Sequence, residues 1–379
     1  MTSSCPKAPL KIAIDARMVS KSGIGTCIQH WLRDVGYSVV LGDPADLNIY
    51  KGCVPKHIPF ISGIYGYKEQ LRFPYKKLRK EKPDILHIPH CNIPLFYRGK
   101  MMVTVHDLTH LVHPEFLPMK LAHLYFKFIF WFVCKRANRI MADSESTKND
   151  LLRFFKVNEK KITVVPLGVG KEFVRKDKSE YDYLYTKFDI PRDKKIILYV
   201  GNLLPHKNLD GLLEGFAKMQ GRENCRLVLV GKAFSGRTVN TREKDLGIEG
   251  LTIHAGMVSQ EDLVNFYNLA NLFVLPSLYE GFGLPILEAF ACGTPVACSN
   301  TSSMPEVGGD LATYFDPMDA QSIAQALEVS INSKGKLDER IFTWVSKFSW
   351  EQSGKRVREI AEEVYRESKA PRNSGKTTA

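Results

Sequence analysis

No two cysteines stand at the close spacing that metal and redox sites use. The eight, Cys5, Cys27, Cys53, Cys91, Cys134, Cys225, Cys292 and Cys298, are scattered, several of them inside apolar runs. That argues against a zinc site or a disulfide framework, and buried reduced thiols in a cytosolic protein are expected. Met1 to Pro9 lacks an apolar h-region, so no secretory signal is expected. The most apolar stretch, Leu117 to Ala137, is short and broken by Lys120, His123 and Lys127. It therefore reads as a helix apolar around most of its circumference, not as a membrane span. Its surplus aromatics would suit a membrane interface. A strong dinucleotide fingerprint is missing too: the turn Ser22-Gly-Ile-Gly25 has no third glycine. His106, His110 and His113 could be taken for metal ligands, but Pro114 and the strand ending at Val105 place them in a loop, and no metal is expected.

Acidic charge is scarce in one half only. Residues 1–190 hold 31 Lys+Arg against 18 Asp+Glu, and the remainder holds 22 against 23, so the net charge of +12 lies wholly in the N-terminal half. An anionic partner is expected there, namely nucleic acid, acidic headgroups or a phosphorylated substrate. A basic and aromatic segment between Tyr65 and Lys82 adds to this bias.

What is present is alternation. Strands are predicted at 11–15, 84–88, 101–105, 139–142 and 161–165, with helices at 24–35, 117–137 and from the Ser144 N-cap to 155. A charged segment without a period follows, and then a second series begins at Lys195. Strands are predicted at 195–200, 225–230, 251–254, 272–275, 294–298 and 313–315, between helices at 208–219, 260–269 and 319–331. The final helix, about 350–367, is amphipathic, and the polar tail 368–379 is expected to be disordered. Two parallel-sheet α/β domains facing a deep cleft are implied.

The stretch Ser277–Gly293 carries the chemistry. It leaves a buried strand, turns through Gly281 and Gly283, and starts a helix at Pro285, with Gly293 placed to end it. Glu280 lies in the loop and Glu288 on the helix. Between them, helix-start amides without partners favour an anionic group such as phosphate.

These residues resemble the retaining glycosyltransferases of family 4, from Ile12 to about Val364. The resemblance rests on Glu280–Glu288 in its Glu-Gly-Phe-Gly-Leu-Pro context, on Val200-Gly-Asn-Leu-Leu-Pro-His-Lys-Asn208 and on His254-Ala-Gly-Met-Val258. Ile14–Arg17 with Ser22–Gly25, and Val105-His-Asp-Leu108, look like its mannosyltransferase-rich branch. The resemblance implies a GT-B fold, with two facing Rossmann-like domains. Its boundaries are expected at 1–175 (acceptor side), 176–194 (linker), 195–348 (nucleotide-sugar side) and 349–367 (a helix returning to the N-terminal domain).

A retaining, metal-independent hexosyl transfer from a nucleotide diphosphate sugar is implied, with no cofactor. Glu280, Lys207 and His106 match the catalytic positions. Gly25, Asn202, Lys207, Val258, Gly281, Phe282, Gly283, Leu284 and Glu288 match donor-binding positions. In that match Lys207 and the amides of Phe282, Gly283 and Leu284 meet the diphosphate, and Gly25 lets a backbone N–H approach it. Glu288 takes the ribose, the backbone near Val258 the base, and Glu280 the transferred sugar. Many relatives carry arginine where this chain has Asn202. Asparagine supplies neither the charge nor the fork, which leaves Lys207, with Arg17 or His206 as helpers.

Mannose transfer from GDP-mannose to a saccharide or lipid-linked saccharide in cell-surface glycan synthesis is the leading expectation. It would occur in the cytoplasm, with peripheral contact between the basic half and an anionic membrane. The alternatives are a UDP-sugar enzyme with a soluble acceptor, or a non-catalytic nucleotide-sugar or nucleic-acid binding protein. No nucleic-acid reader motif accompanies the basic half.

Overall fold

A computed structural model describes residues 10–50, 52, 56–64, 67–116, 120–232, 237–332 and 339–369. Residues 1–9, where no signal was expected, Cys53, Tyr65 and the tail from 370 lie outside the described residues.

Seven short strands form the first sheet: β1 (Ile12–Asp15), β2 (Val39–Gly42), β3 (Lys56–Pro59), β4 (Ile85–Ile88), β5 (Lys100–Val105), β6 (Arg139–Ala142) and β7 (Ile162–Val164). Six form the second: β8 (Lys195–Val200), β9 (Cys225–Val230), β10 (Thr252–Gly256), β11 (Leu272–Leu275), β12 (Val296–Ser299) and β13 (Thr313–Phe315). The orders are β3-β2-β1-β4-β5-β6-β7 and β10-β9-β8-β11-β12-β13, and every pairing is parallel. β1, β4, β11 and β12 are buried along their whole length, which explains their mostly apolar sequences, with Asp15, His87 and Ser299 as the polar exceptions. The expected strands are all present within a residue or two. β2 and β3 were not foreseen, because β3 is a mostly exposed edge with little apolar signal.

The helices that position the site are α1 (Ser22–Asp34), α2 (Tyr75–Glu81), α3 (Lys120–Arg136), α4 (Glu145–Phe154), α5 (Gln260–Leu269), α6 (Leu284–Ala291), α7 (Met304–Gly308) and α8 (Trp350–Lys369). α8 packs on α1 of the first unit: Trp31 Nε1 donates to Ser353 Oγ at 3.2 Å, and a Cβ on Gly354 would meet Asp34. It runs through Ser368 and Lys369, two residues expected in a disordered tail.

The segment 176–194, expected as a linker, carries short helices at Lys178–Tyr181 and Tyr183–Lys187. Their polar side chains find partners on α5: Asp262 accepts from Tyr183 Oη (2.6 Å) and from Lys187 Nζ (2.7 Å). The absence of apolar period there reflects anchoring by hydrogen bonds. The two chain crossings between the sheets touch at a bridge between Val169 and Ser349, where a side chain on Gly168 would overlap the Trp350 backbone. Of the six described cysteines five are buried, as small apolar side chains in cores are.

Candidate functional site

The carboxyl ends of both sheets face one cleft, as ligand sites of parallel α/β sheets do. From the second sheet, β11 delivers the Ser277–Gly283 loop. Glu280 Oε1 accepts from Lys207 Nζ at 2.6 Å and from Ser277 Oγ at 2.6 Å. The Glu280 amide donates to Ser302 Oγ at 2.9 Å, and Ser303 Oγ donates to the carbonyls of Glu280 and Phe282 at 3.0 and 2.8 Å. The loop is therefore held from below by Ser302 and Ser303.

Gly283 caps α6 at φ +105°, a conformation that an L side chain rarely adopts. The α6 start leaves amides with no intrahelical carbonyl, beside an ammonium that uses one of its three donors on Glu280. Together these make a cradle for an anion next to a fixed carboxylate.

One turn into α6, Glu288 Oε2 accepts from Tyr267 Oη of α5 at 2.7 Å. Burial pushes the Glu288 carboxyl up to about 7, against the pull of that hydrogen bond and with help from nearby Glu172. A dry carboxylate that is reluctant to ionise gains most from hydroxyl donors. Asn202 is exposed, and its Oδ1 accepts from the Lys232 amide at 3.3 Å. Val258 is partly buried against the core just beyond β10, whose last residue, Gly256, has φ +67°. Burial and Lys207 both lower the pKa of His206, so it adds little positive charge at neutral pH.

Three positions of the first unit are held by contacts that the sequence alone did not reveal. Gly25 lies within α1, and its amide donates to Lys21 O at 2.9 Å instead of pointing into the cleft. Glycine is needed there because a Cβ would stand 2.7 Å from Val19 O and 2.8 Å from Met18 O. The helix-start amides without intrahelical partners are those ahead of it, from Ser22 to Ile24.

Arg17, expected as a phosphate helper, is buried over Phe60. It donates to Asp15 Oδ2 and Glu69 Oε1, both at 2.6 Å. Glu69 also takes Asn92 Nδ2, and Tyr125 Oη donates to Asn92 Oδ1 at 2.9 Å. That network is internal.

The His106 ring is likewise engaged, by Asp143 Oδ2 at Nδ1 (2.6 Å) and by Pro89 O at Nε2 (3.2 Å). Pro89 O can only accept, so Nε2 carries a hydrogen, and a second proton is held between Nδ1 and Asp143. Although burial opposes it, Asp143 holds the His106 pKa above its ordinary value. The His106 carbonyl is packed in the contact between the units: it accepts from Thr147 Oγ1 at 3.3 Å, and a side chain on Gly281 would collide with it.

Several residues at this meeting of the units carry no sequence signal of partnership. Ser144, foreseen only as an N-cap, does accept from the Thr147 amide at 3.1 Å, and its hydroxyl donates to Gly281 O at 2.7 Å. Glu306 of α7 accepts the free Glu145 amide of α4 at 2.9 Å. Tyr279 Oη donates to Asp150 Oδ2 at 2.7 Å. These contacts join residues 129 to 161 positions apart, a range at which local pattern says nothing.

Sequence comparison agrees with this architecture in both halves. Residues 37–173 match Glycosyltransferase Family 4, and residues 185–342 match Glycosyl transferases group 1. The O-antigen chain mannosyltransferase B of Escherichia coli is 30% identical over 280 residues, covering 72% of this chain and 73% of its own length. The serotype-specific mannosyltransferase WbdA of the same organism is 30% identical over 283 residues, 69% of this chain but 33% of its own length. Among solved structures, sucrose-phosphate synthase from Thermosynechococcus elongatus superposes with a TM-score of 0.77 at 18% identity, over 95% of this chain and 100% of its own. Anabaena Alr3699/HepE, solved with UDP and glucose, gives 0.76 at 16% identity over 94% and 100%. At these identities the two structures speak to the fold alone.

Proposed function

The chain belongs to the family 4 glycosyltransferases, and we propose that it moves mannose from GDP-mannose to a saccharide, free or lipid-linked, in cell-surface glycan synthesis. The observation that carries this reading is the Lys207–Glu280 pair at 2.6 Å, set against the start of α6. A departing diphosphate needs positive charge and N–H donors already aimed where its charge develops. Lys207 and the amides of Phe282, Gly283 and Leu284 supply both. Glu280 stands beside the transferred sugar, and Glu288 accepts from the ribose hydroxyls. The backbone near Val258 lies along the base, with Asn202 at the rim.

Across the cleft, the α1 start ahead of Gly25 lines the diphosphate, and His106 packs against the Glu280 loop at Gly281. In this reading His106 acts as a positioning residue, since its ring is committed to Asp143. Transfer releases GDP and the acceptor's hydroxyl proton, with retention at the anomeric carbon. The mannosyltransferase relatives support the choice of sugar and, through it, of nucleotide.

The acceptor end is proposed to sit at an anionic membrane surface. On α3, Leu124, Phe128 and Trp131 are 61%, 49% and 47% exposed, and Lys127 and Lys135 are exposed on the same helical stripe. Basic α2 joins this flank: Arg136 of α3 donates to Tyr97 O, and Tyr75 of α2 meets the Phe96 ring edge-on. Among the described residues no helix is long and apolar enough to cross a membrane. Apolar rings flanked by lysines suit the headgroup boundary.

Thermal-shift titration with GDP, UDP and ADP, followed by mass spectrometry of products from GDP-mannose and mannosyl acceptors, tests the reading. GDP is expected to stabilise most and a glycan one hexose longer to appear. Stronger stabilisation by UDP, or no transfer to any saccharide, would sink it.

A further inference from the structure

Beside the Glu280 loop, on the flank formed by α4 and the ends of β12 and β13, the two units line an open cavity of about 610 Å³. That volume suits a small molecule or a few sugar rings. One wall comes from the loop after β5, where the His113 and Phe116 rings stack 5.1 Å apart at 20°. Tyr279 extends the same surface, its ring edge-on to His113 at 6.0 Å. Three carboxylates line the cavity with these rings, each holding one partner and keeping further acceptor capacity: Asp150 accepts from Tyr279 Oη at 2.7 Å, Glu115 pairs with His113 Nδ1 at 2.8 Å, and Asp316 accepts from the Met318 amide at 2.9 Å. No lysine or arginine lines the cavity among the described residues.

Ring faces and carboxylates without cations define the ligand. A pyranose presents C–H faces that pack on aromatic rings and hydroxyls that donate to carboxylates, the stronger class of hydrogen bond. An anionic ligand would meet three carboxylates, and the one imidazole of the lining, His113, is already paired with Glu115. The floor of the cavity also belongs to the transfer site: Ser302, which lines it, accepts from the Glu280 amide at 2.9 Å. Tyr279 is the residue preceding Glu280.

We infer that this cavity is a subsite for an uncharged stretch of the acceptor glycan, lying beyond the sugar that receives the new residue. The inference rests on the glycosyltransferase reading for its ligand class, but it makes a separate claim about position and charge. A growing neutral chain would be held here by several rings while its end sits near Glu280, so longer acceptors bind better than a single sugar.

The test uses the full chain without donor, so that failure of transfer cannot be confused with failure of this site. Saturation-transfer NMR compares methyl mannoside, an α-linked mannotetraose and an anionic tetragalacturonate. The mannotetraose is expected to bind, and tetragalacturonate to bind at least tenfold more weakly. F116A, which removes a stacked ring, is expected to weaken mannotetraose about tenfold. D316N is expected to weaken it severalfold, and because Asp316 is exposed this change leaves the core intact. Equal mannotetraose binding by wild type and both variants, or tetragalacturonate binding as tight as mannotetraose, would overturn the inference. Mannotetraose binding by a protein that never turns over GDP-mannose would uphold this site and refute only the proposed reaction.

Discussion

In the N-terminal unit the charged groups nearest the cleft bond one another. Arg17 bridges Asp15 and Glu69, its Nη1 buried without a hydrogen-bond partner among the described residues, and the His106 ring lies between Asp143 and a carbonyl. In the C-terminal unit the Lys207–Glu280 pair stays part-exposed beside unpaired helix-start amides, and Glu288 has only Tyr267. The unit with the larger net charge therefore keeps its cleft-side charges internal and turns the surplus outward, along α2 and α3. The near-neutral unit presents the groups fit to hold an anion. Net charge reports on a surface and its partners, while the chemistry follows which charges remain uncommitted.

The difference can be broken from the structural side first. Arg17→Leu leaves Asp15 and Glu69 buried without their cation, and about 3–5 kcal/mol of unfolding free energy is expected to be lost in urea titration. A loss below about 1 kcal/mol would make Arg17 dispensable to the fold. Lys207→Ala should do the reverse: kcat for GDP release with acceptor falls about 10²–10³-fold. Its unfolding free energy moves by less than about 1 kcal/mol, because the pair is partly solvated. An unaltered kcat would remove Lys207 from the reaction.

Glu288 sharpens the contrast through pH. Its carboxyl is raised from 4.5 to about 7, so between those values the folded state binds the proton that the unfolded chain has released. Stability therefore falls as pH rises through this window, by on the order of 2–3 kcal/mol. Glu288→Gln keeps an acceptor for Tyr267 but cannot ionise. The variant is expected to lose less stability than wild type between pH 5 and pH 8, while its GDP affinity drops about tenfold in calorimetry at pH 8. Parallel melting profiles across that range would contradict the burial argument. The smallest effect concerns the exterior: Lys135, which lies over the Trp131 ring at 5.4 Å, is expected to contribute about 1 kcal/mol to the proposed binding of acidic vesicles. Lys135→Ala should lower pelleting at low salt. No pelleting of wild type would remove the membrane contact altogether.

The periodicity of apolar residues determined most of the strands and the long helices, since side-chain alternation and helix caps are short-range backbone properties. The Ser277–Gly293 stretch was equally legible: glycines, proline and two glutamates lie within seventeen residues, and the loop, cap and helix follow from local sterics. β3 and the helices at 178–187 were not legible, because their stability comes from a neighbouring strand or from partners on α5. Only the tertiary structure decided which charges are free. Arg17 looked available until Glu69, fifty-two positions on, closed over it. The partner of the His106 ring became visible only when β6 brought Asp143 beside it. At Gly25 the carbonyls of residues 18 and 19 leave no room for a side chain. Charge pairing depends on distance in space, and a parallel sheet sets adjacent the ends of strands that lie far apart along the chain.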